Sequence, residues 1–266
     1  MPVELPFSFR ATEQDAFHAD DRIVMRHAFA IQNEFGRLLD ERIYQRELTY
    51  RCQADGLMAE TEVPLHVSYA TFRKIYYLDL LVSRGTIYEL KTVSALAGVH
   101  ETQLLNYLLL AGQQHGKLVN FRTPSVELRF VSTRLTTKRR KEVSFDHTNF
   151  HPATPRGLWF AETIRNIVAD WGAFLDVDLY REAIVHLLGG KELVSQSVEI
   201  VHDNRSIGMQ KVDLLEPDAA FLISSVTQRI QAYCQHLQRL VSHTRLKALY
   251  WVNLNHHHIA FRTLSA

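Results

Sequence analysis

The stretch that most narrows what this chain can fold into is Tyr77-Leu78-Asp79-Leu80-Leu81-Val82-Ser83-Arg84-Gly85-Thr86-Ile87-Tyr88-Glu89-Leu90-Lys91. Two apolar runs meet at Ser83-Arg84-Gly85, which reads as a three-residue turn with glycine last, where a left-handed residue is wanted. A hairpin centred on Arg84 sets Asp79 opposite Glu89, and a bulge at Gly85 would slip this register by one residue. Side chains alternate faces along a strand, so Lys91 joins Glu89 on the same face. Leu78, Leu80, Ile87 and Leu90 are left to build the surrounding core. Two acids and a lysine on one face of an apolar hairpin are poor choices for packing alone.

Directly opposed side chains lie roughly 4.5–5.5 Å apart at Cβ, and two carboxylates that close repel unless a cation lies between them. Asp79 and Glu89, with the Leu90 carbonyl as a third donor, offer hard oxygen ligands of the kind Mg²⁺ or Mn²⁺ takes. A divalent ion lowers the pKa of bound water and stabilises charge on a phosphate oxygen. Lys91 is placed to orient that water or offset developing negative charge. An ordinary salt bridge between Lys91 and one acid is the competing reading of these residues by themselves. The segment Val99-His100-Glu101-Thr102-Gln103-Leu104-Leu105-Asn106-Tyr107 adds weight to the first reading. Gln103 and Tyr107 share a helix face, where an amide can position water or phosphate and a hydroxyl can reach the same region.

Hydrophobic spacing organises the rest. A helix is expected from Asp20-Asp21, acids suited to its amino terminus, through Ile23, Phe29, Ile31, Phe35, Leu38, Leu39, Ile43 and Leu48 to about residue 50. Strands follow over 63–69, 75–82 and 86–93. A second helix runs from about His100 to Gly112, and two more strands over 117–121 and 126–131. Residues 133–157, basic at Lys138-Arg139-Arg140-Lys141 and rich in turn formers later, read as a connector. Beyond it the first half echoes. Phe35-Gly36, Leu39-Asp40 and Tyr44 recur as Trp171-Gly172, Leu175-Asp176 and Tyr180, at a constant offset (172 − 36 = 180 − 44 = 136). Leu78-Asp79-Leu80-Leu81 recurs as Val212-Asp213-Leu214-Leu215, and Lys117 to Phe121 as Tyr250 to Leu254. The chain therefore divides into a unit at 20–132, a basic connector at 133–157 and a second unit at 158–266. In the second, Asp213 remains, but Ile223-Ser224-Ser225 stands where Glu-x-Lys would fall and Val177 replaces Glu41.

Thirty Lys and Arg against 29 Asp and Glu leave the 266-residue chain nearly neutral, so any phosphate-binding surface must be local, with Lys138–Lys141 its densest candidate. No apolar run is long enough to cross a bilayer, and the amino terminus does not read as a signal peptide. Two cysteines, Cys52 and Cys234, cannot make a disulfide framework; a reducing, cytoplasmic setting is expected. His256 and His258 have the spacing of a strand-borne metal pair, but no acid or cysteine nearby completes a site.

Three stretches resemble the GxxExxY family of the PD-(D/E)XK nuclease superfamily: Asn33-Glu34-Phe35-Gly36 through Glu41-Arg42-Ile43-Tyr44, Leu78 through Lys91, and Val99 through Leu108. The chain departs from the family pattern at Leu38, where the motif glycine falls, and at Gln32, where a histidine is usual. The resemblance implies an α/β fold, a restriction-endonuclease-like mixed sheet flanked by helices. It implies Asp79, Glu89 and Lys91 as catalytic core, with Glu41 as an additional acid. Gln103 and Tyr107 resemble the QxxxY element of the RecB-like branch. With the echo, the expectation is a tandem pseudo-dimer in one chain, its first unit a Mg²⁺- or Mn²⁺-dependent nuclease and its second inactive. The expected partner is nucleic acid, DNA favoured, with no membrane and with any partner protein unknown. The alternative is a nuclease-fold module that binds nucleic acid or protein without cleavage.

Overall fold

The computed structural model describes residues 3–4, 9 and 14–265. The chain divides into two compact units, Met1–Ser68 with Arg73–Thr137, and Tyr69–Phe72 with Lys138–Ala266.

The first unit carries strand β1 (Val3–Glu4), helices α1 (Gln14–Phe35) and α2 (Glu41–Ala54), strands β2 (Ala59–Tyr69), β3 (Phe72–Val82) and β4 (Thr86–Lys91), helix α3 (Gly98–Ala111), and strands β5 (His115–Asn120) and β6 (Glu127–Ser132). Its six strands lie in chain order. β3 pairs antiparallel with β4, β4 parallel with β5, and β5 antiparallel with β6, a mixed sheet. One sheet face, with Leu80, Val82, Tyr88, Leu90, Val119 and Phe121, packs on Val24, Ala28 and Ile31 of α1 and Tyr44, Leu48 and Cys52 of α2. The opposite face receives α3. A Cβ on Gly116 would stand 3.0 Å from Ile87 O, 3.1 Å from Leu104 and 3.2 Å from Leu108, so glycine lets the helix lie close there.

The single expected helix over residues 21–50 is two helices. Gly36 at φ +74° turns the chain out of α1, and α2 begins five residues later (41 − 36 = 5). Asp20 and Asp21 lie inside α1 and do not cap it. Asp21 instead pairs with Lys117, and Asp20 accepts from Thr86 Oγ1 at 3.3 Å. Helical periodicity across a short loop hid the break, because both helices bury one face against the same sheet.

The second unit carries helix α4 (Thr137–Lys141), β7 (Ser144–Asn149), α5 (Pro155–Trp171), α6 (Val177–Leu187), α7 (Lys191–Val194), β8 (Ser195–His202), β9 (Arg205–Glu216), β10 (Ala219–Ser224), α8 (Ile230–Ser242), β11 (Ala248–Asn255) and β12 (His258–Ser265). Strand order is β7-β12-β11-β10-β9-β8. β9 pairs antiparallel with β10, β10 parallel with β11, and β11 antiparallel with β12. Apart from β1 in the first unit and the short α4, β7 and α7 in the second, both run helix, helix, three strands, helix, two strands, with the same sequence of strand directions from β3 and β9 onward.

The segment expected as a connector is partly structured. β7 pairs parallel with β12, and Thr154 Oγ1 caps α5 by accepting from Gly157 N at 3.2 Å. Within the basic run Arg140 is buried and reaches Ala173 O at 3.4 Å, while Lys138, Arg139 and Lys141 are exposed. His256–His258 do not share a strand face. His256, at φ +54°, stands in the turn between β11 and β12. His257 Nδ1 lies 2.9 Å from Glu142 O and His258 Nδ1 lies 3.2 Å from Ser144 Oγ.

Candidate metal centre

The β3–β4 hairpin has the expected register by a different turn. Leu80 pairs with Tyr88, Leu81 with Ile87 and Val82 with Thr86, which centres the hairpin on Arg84. Ser83 and Arg84, at φ +50° and +55°, are the left-handed residues, and Gly85 N closes the turn on Val82 O at 3.1 Å. Positive φ at both central positions matches the right-handed strand twist, so turn geometry overrides the usual preference for glycine there.

Past Leu80 the ladder changes character. Leu90 N donates to the Asp79 side chain, Oδ2, at 2.8 Å. The carboxylate thus takes a backbone donor at the point where Asp79 and Glu89 would pair next. Lys91 Nζ donates to Glu89 Oε1 at 2.7 Å and stands 4.0 Å from Asp79 Oδ2. Asp79, Glu89 and Lys91 therefore converge, as strand alternation requires for the last two.

The electrostatics of this cluster are unbalanced. Glu89 is 1% exposed, and its second oxygen, Oε2, is buried without a hydrogen-bond partner among the described residues. Burial, then repulsion from Asp79, pushes the Glu89 carboxyl up to about 8 against the pull of Lys91. Burial likewise raises Asp79 to about 6, although the Leu90 N–H and Lys91 work the other way and Glu41 and Glu62 add repulsion. Burial opposes the charge on Lys91, but the Glu89 carboxylate outweighs it and the ammonium is held above its ordinary range. A buried acid and a half-buried one share one ammonium, and the cluster is short of positive charge.

On α3, Gln103 Nε2 donates to Tyr107 OH at 3.0 Å. Tyr107 is mostly buried, its ring edge-on to Tyr76 at 5.7 Å. Burial raises its hydroxyl to about 12, the Gln103 bond opposes this, and the Glu89 and Asp79 charges push the same way as burial. Tyr107 is thereby within electrostatic reach of the acids; Gln103 is tied to them through it. Glu41 opens α2, and its charge is felt at Asp79, Glu89 and Lys91. Tyr44 fixes that end of α2. Its hydroxyl donates to Gly36 O at 2.7 Å and accepts from Leu39 N at 3.2 Å, and its ring stacks on Phe121 at 4.4 Å.

Sequence reasoning missed Gln45 and Glu62. Gln45, buried on α2, donates through Nε2 to Asp79 O at 2.6 Å and to Glu62 Oε1 at 3.0 Å. Glu62 takes φ +53° within β2, an uncommon conformation for a residue with a side chain. The available signal was position, since Gln45 directly follows the motif tyrosine, but nothing in the pattern said which strand it reaches.

Among the described residues no group of three or more His, Cys, Asp or Glu is gathered as a metal cage. The oxygen donors that Asp79 and Glu89 bring together are of the hard kind taken by an ion that keeps several waters, as Mg²⁺ does. The partnerless Glu89 Oε2 fits the same role.

In the second unit, Asp213 Oδ1 accepts from Arg181 Nη2 at 2.9 Å and from Ser195 Oγ at 2.6 Å, and Arg181 Nε donates to Oδ2. Asn253 hydrogen-bonds both ways with the Val226 backbone, as Asn120 does with Val93. Lys91 pairs with Asn120 across the parallel strands, and Ser224 pairs with Asn253. The register counterparts of Glu89 and Lys91 are thus Leu222 and Ser224, one residue earlier than the sequence offset indicates. The β9–β10 turn holds only Pro217 and Asp218, and a bulge between Ala219 and Ala220 sets Asp213 opposite Phe221, as Leu80 is opposite Tyr88, so the register position of Asp79 falls on Val212.

A mixed α/β unit with two acids and a lysine on a central hairpin defines the class of site. Residues 19–131 match the family model of the PD-(D/E)XK nuclease superfamily, a superfamily that usually carries phosphodiesterase activity and generally uses divalent metals. The match spans the first unit's helices and its sheet from β2 to β6. No curated protein and no solved structure matches the chain. No helix among the described residues is long and apolar enough to cross a membrane.

Proposed function

We propose that the first unit hydrolyses phosphodiester bonds of nucleic acid, DNA in preference to RNA, with Mg²⁺ or Mn²⁺ held by Asp79, Glu89 and the Leu90 carbonyl. The observation that carries this reading is Glu89, a buried acid beside a second acid, with one oxygen left without a partner. A buried carboxylate with one oxygen left unsatisfied is costly, and such arrangements concentrate at functional sites. The bound ion would lower the pKa of a coordinated water and stabilise charge on the phosphate.

The chain's own groups supply the rest. Leu90 N fixes the orientation of the Asp79 carboxylate. Lys91, held by Glu89, presents an ammonium that can donate to the attacking water or to a phosphate oxygen. Tyr107 closes the α3 side, with Gln103 offering an amide from the same helix face. Glu41 is the additional acid at the α2 amino terminus. The Glu41–Tyr44 pair supports assignment to the GxxExxY branch, and the common element order of the two units supports a tandem duplication. In this reading the second unit, with Leu222 and Ser224 in place of Glu89 and Lys91, is catalytically silent. The two cysteines stand free, which suits a reducing cytoplasm.

Calorimetric titration of Mn²⁺ into wild type and Glu89→Gln, with strand cleavage measured over a DNA and RNA panel, tests the proposal. One ion bound through Glu89 and metal-dependent cleavage of at least one substrate are expected. Binding of nucleic acid with no metal-dependent cleavage would overturn it.

A further inference from the structure

We propose that the second unit holds an unpaired nucleobase in the cavity where β9 and β10 part, the position at which the first unit carries its two acids. The choice of nucleic acid as ligand rests on the nuclease reading of the first unit. The cavity and its chemistry belong to the second unit alone.

Both hairpins fork at the same register step. In the first unit Leu80 pairs with Tyr88, and Asp79 and Glu89 stand next along the two strands. There the Asp79 carboxylate bridges the fork by accepting from Leu90 N at 2.8 Å. In the second unit Asp213 pairs with Phe221, and Val212 and Leu222 stand next. Two apolar side chains thus replace two acids, and neither can bridge the strands by a hydrogen bond. Val212 offers no acceptor to the Ile223 N–H, the counterpart of Leu90 N. From Val212 back to Arg205, β9 pairs with β8 alone, and from Leu222 on, β10 pairs with β11 alone. One backbone edge of each strand therefore faces the fork.

A cavity of about 450 Å³ occupies it, lined by Val212 and Leu222 with Phe221. That volume is ordinary for a small-molecule site, which spans roughly 300–1,000 Å³. Tyr233, Leu237 and Leu240 of α8 wall one side. The Tyr233 ring is half-buried and set 5.5 Å from that of Trp251. Apolar and aromatic walls suit a flat ring, and stacking on an aromatic side chain is how unpaired bases are commonly held. The strand edges select against a hydrocarbon, which would leave backbone N–H and C=O groups unsatisfied; a base edge carries donors and acceptors to meet them. Charge points the same way. Arg181 and Asp213 neutralise each other, so the exposed Lys211 leaves the lining one net positive charge for a backbone phosphate. A base within a duplex has its edge paired and its faces stacked, which restricts the ligand to a single strand.

Binding is measured on the full chain in EDTA, so no cleavage is needed for the readout. The probe is a mixed-sequence single strand of about 12 nucleotides, within the span such sites cover. Its comparisons are a strand of equal length with abasic residues throughout and the blunt duplex of the same sequence. The abasic strand and the duplex should each bind about fivefold more weakly or worse, the lower end of what stacking one base is worth. Leu222→Trp, which fills the cavity, should weaken the single strand to the level of the abasic one while holding Mn²⁺ affinity at the wild-type value. Tyr233→Leu, which keeps bulk but removes the ring, should weaken it in the same direction and decides the matter if Leu222→Trp lowers the thermal midpoint. Failure of wild type to bind the strand, equal affinity for the abasic strand or the duplex, or wild-type affinity in folded Leu222→Trp would overturn the proposal. Strand binding through the cavity with no Mn²⁺ bound at Glu89 would sink the nuclease reading and leave this one standing.

Discussion

Replacing Glu89 by glutamine removes a charge that the fold disfavours, and the outcome can be worked from its surroundings. Burial and Asp79 move this carboxyl from 4.5 to about 8. At pH 7 the unfolded glutamate is ionised while the folded one holds its proton. The span 7 − 4.5, at 1.36 kcal/mol per unit, puts the cost to the metal-free fold at about 3 kcal/mol. The pull of Lys91 is already contained in that shift, and a glutamine oxygen can accept from Lys91 as the protonated acid does. Metal-free Glu89→Gln should therefore be more stable than wild type at pH 7, by about 1–3 kcal/mol. The sign with pH is definite. An acid whose folded pKa is raised favours folding below its unfolded pKa and loses that contribution as pH rises toward the folded value. Wild type should therefore weaken between pH 4.5 and about 8, and the variant should weaken less. Added Mn²⁺ should reverse the ranking, since an ion at a hundredfold its Kd stabilises by about 2.7 kcal/mol. Urea unfolding followed by hydrogen exchange of the β3–β4 amides reads the first unit directly. A metal-free variant clearly less stable than wild type at pH 8, with an unchanged pH slope, would refute the reasoning.

Further outcomes are fixed by the same structure. Mn²⁺ affinity should rise between pH 6 and 8 with net proton release, because Asp79 and Glu89 must ionise to bind; calorimetry in buffers of different ionisation enthalpy measures this. Asp213→Asn should leave Mn²⁺-dependent cleavage within about twofold of wild type, whereas Asp79→Asn should abolish it in the same assay. Tyr44→Phe should cost about 1 kcal/mol in urea midpoint analysis, through loss of the bonds to Gly36 O and Leu39 N. Gly116→Ala should cost about 1–3 kcal/mol, since its methyl meets the Ile87 carbonyl and both α3 leucines.

Much of the site could be read from residue order because a hairpin is a local object. Apolar alternation and a short turn set the Asp79–Glu89 register, and strand alternation put Lys91 with Glu89. The turn itself was read with the wrong left-handed residue: glycine is the cheapest occupant of positive φ, yet Ser83 and Arg84 take it to match strand twist. The α1–α2 break was hidden because two helices burying faces on one sheet keep a common periodicity. Gln45 was invisible for a different reason. Its partners, Asp79 O and Glu62, come from two other strands, and no local pattern encodes such a meeting. The second unit shows the same limit, since strand pairing with a bulge places Leu222, not Ile223, at the Glu89 position and Val212, not Asp213, at that of Asp79.

Asp79 and Glu89, in the proposed function, are held together to bind one divalent cation. Anomalous diffraction from crystals of the full chain soaked in Mn²⁺ tests it most directly. One peak within coordination distance of Asp79 and of the partnerless Glu89 Oε2, and none at Asp213, is the expected result. No peak at the first pair, with Glu89 Oε2 hydrogen-bonded to a protein donor in its place, would contradict the account.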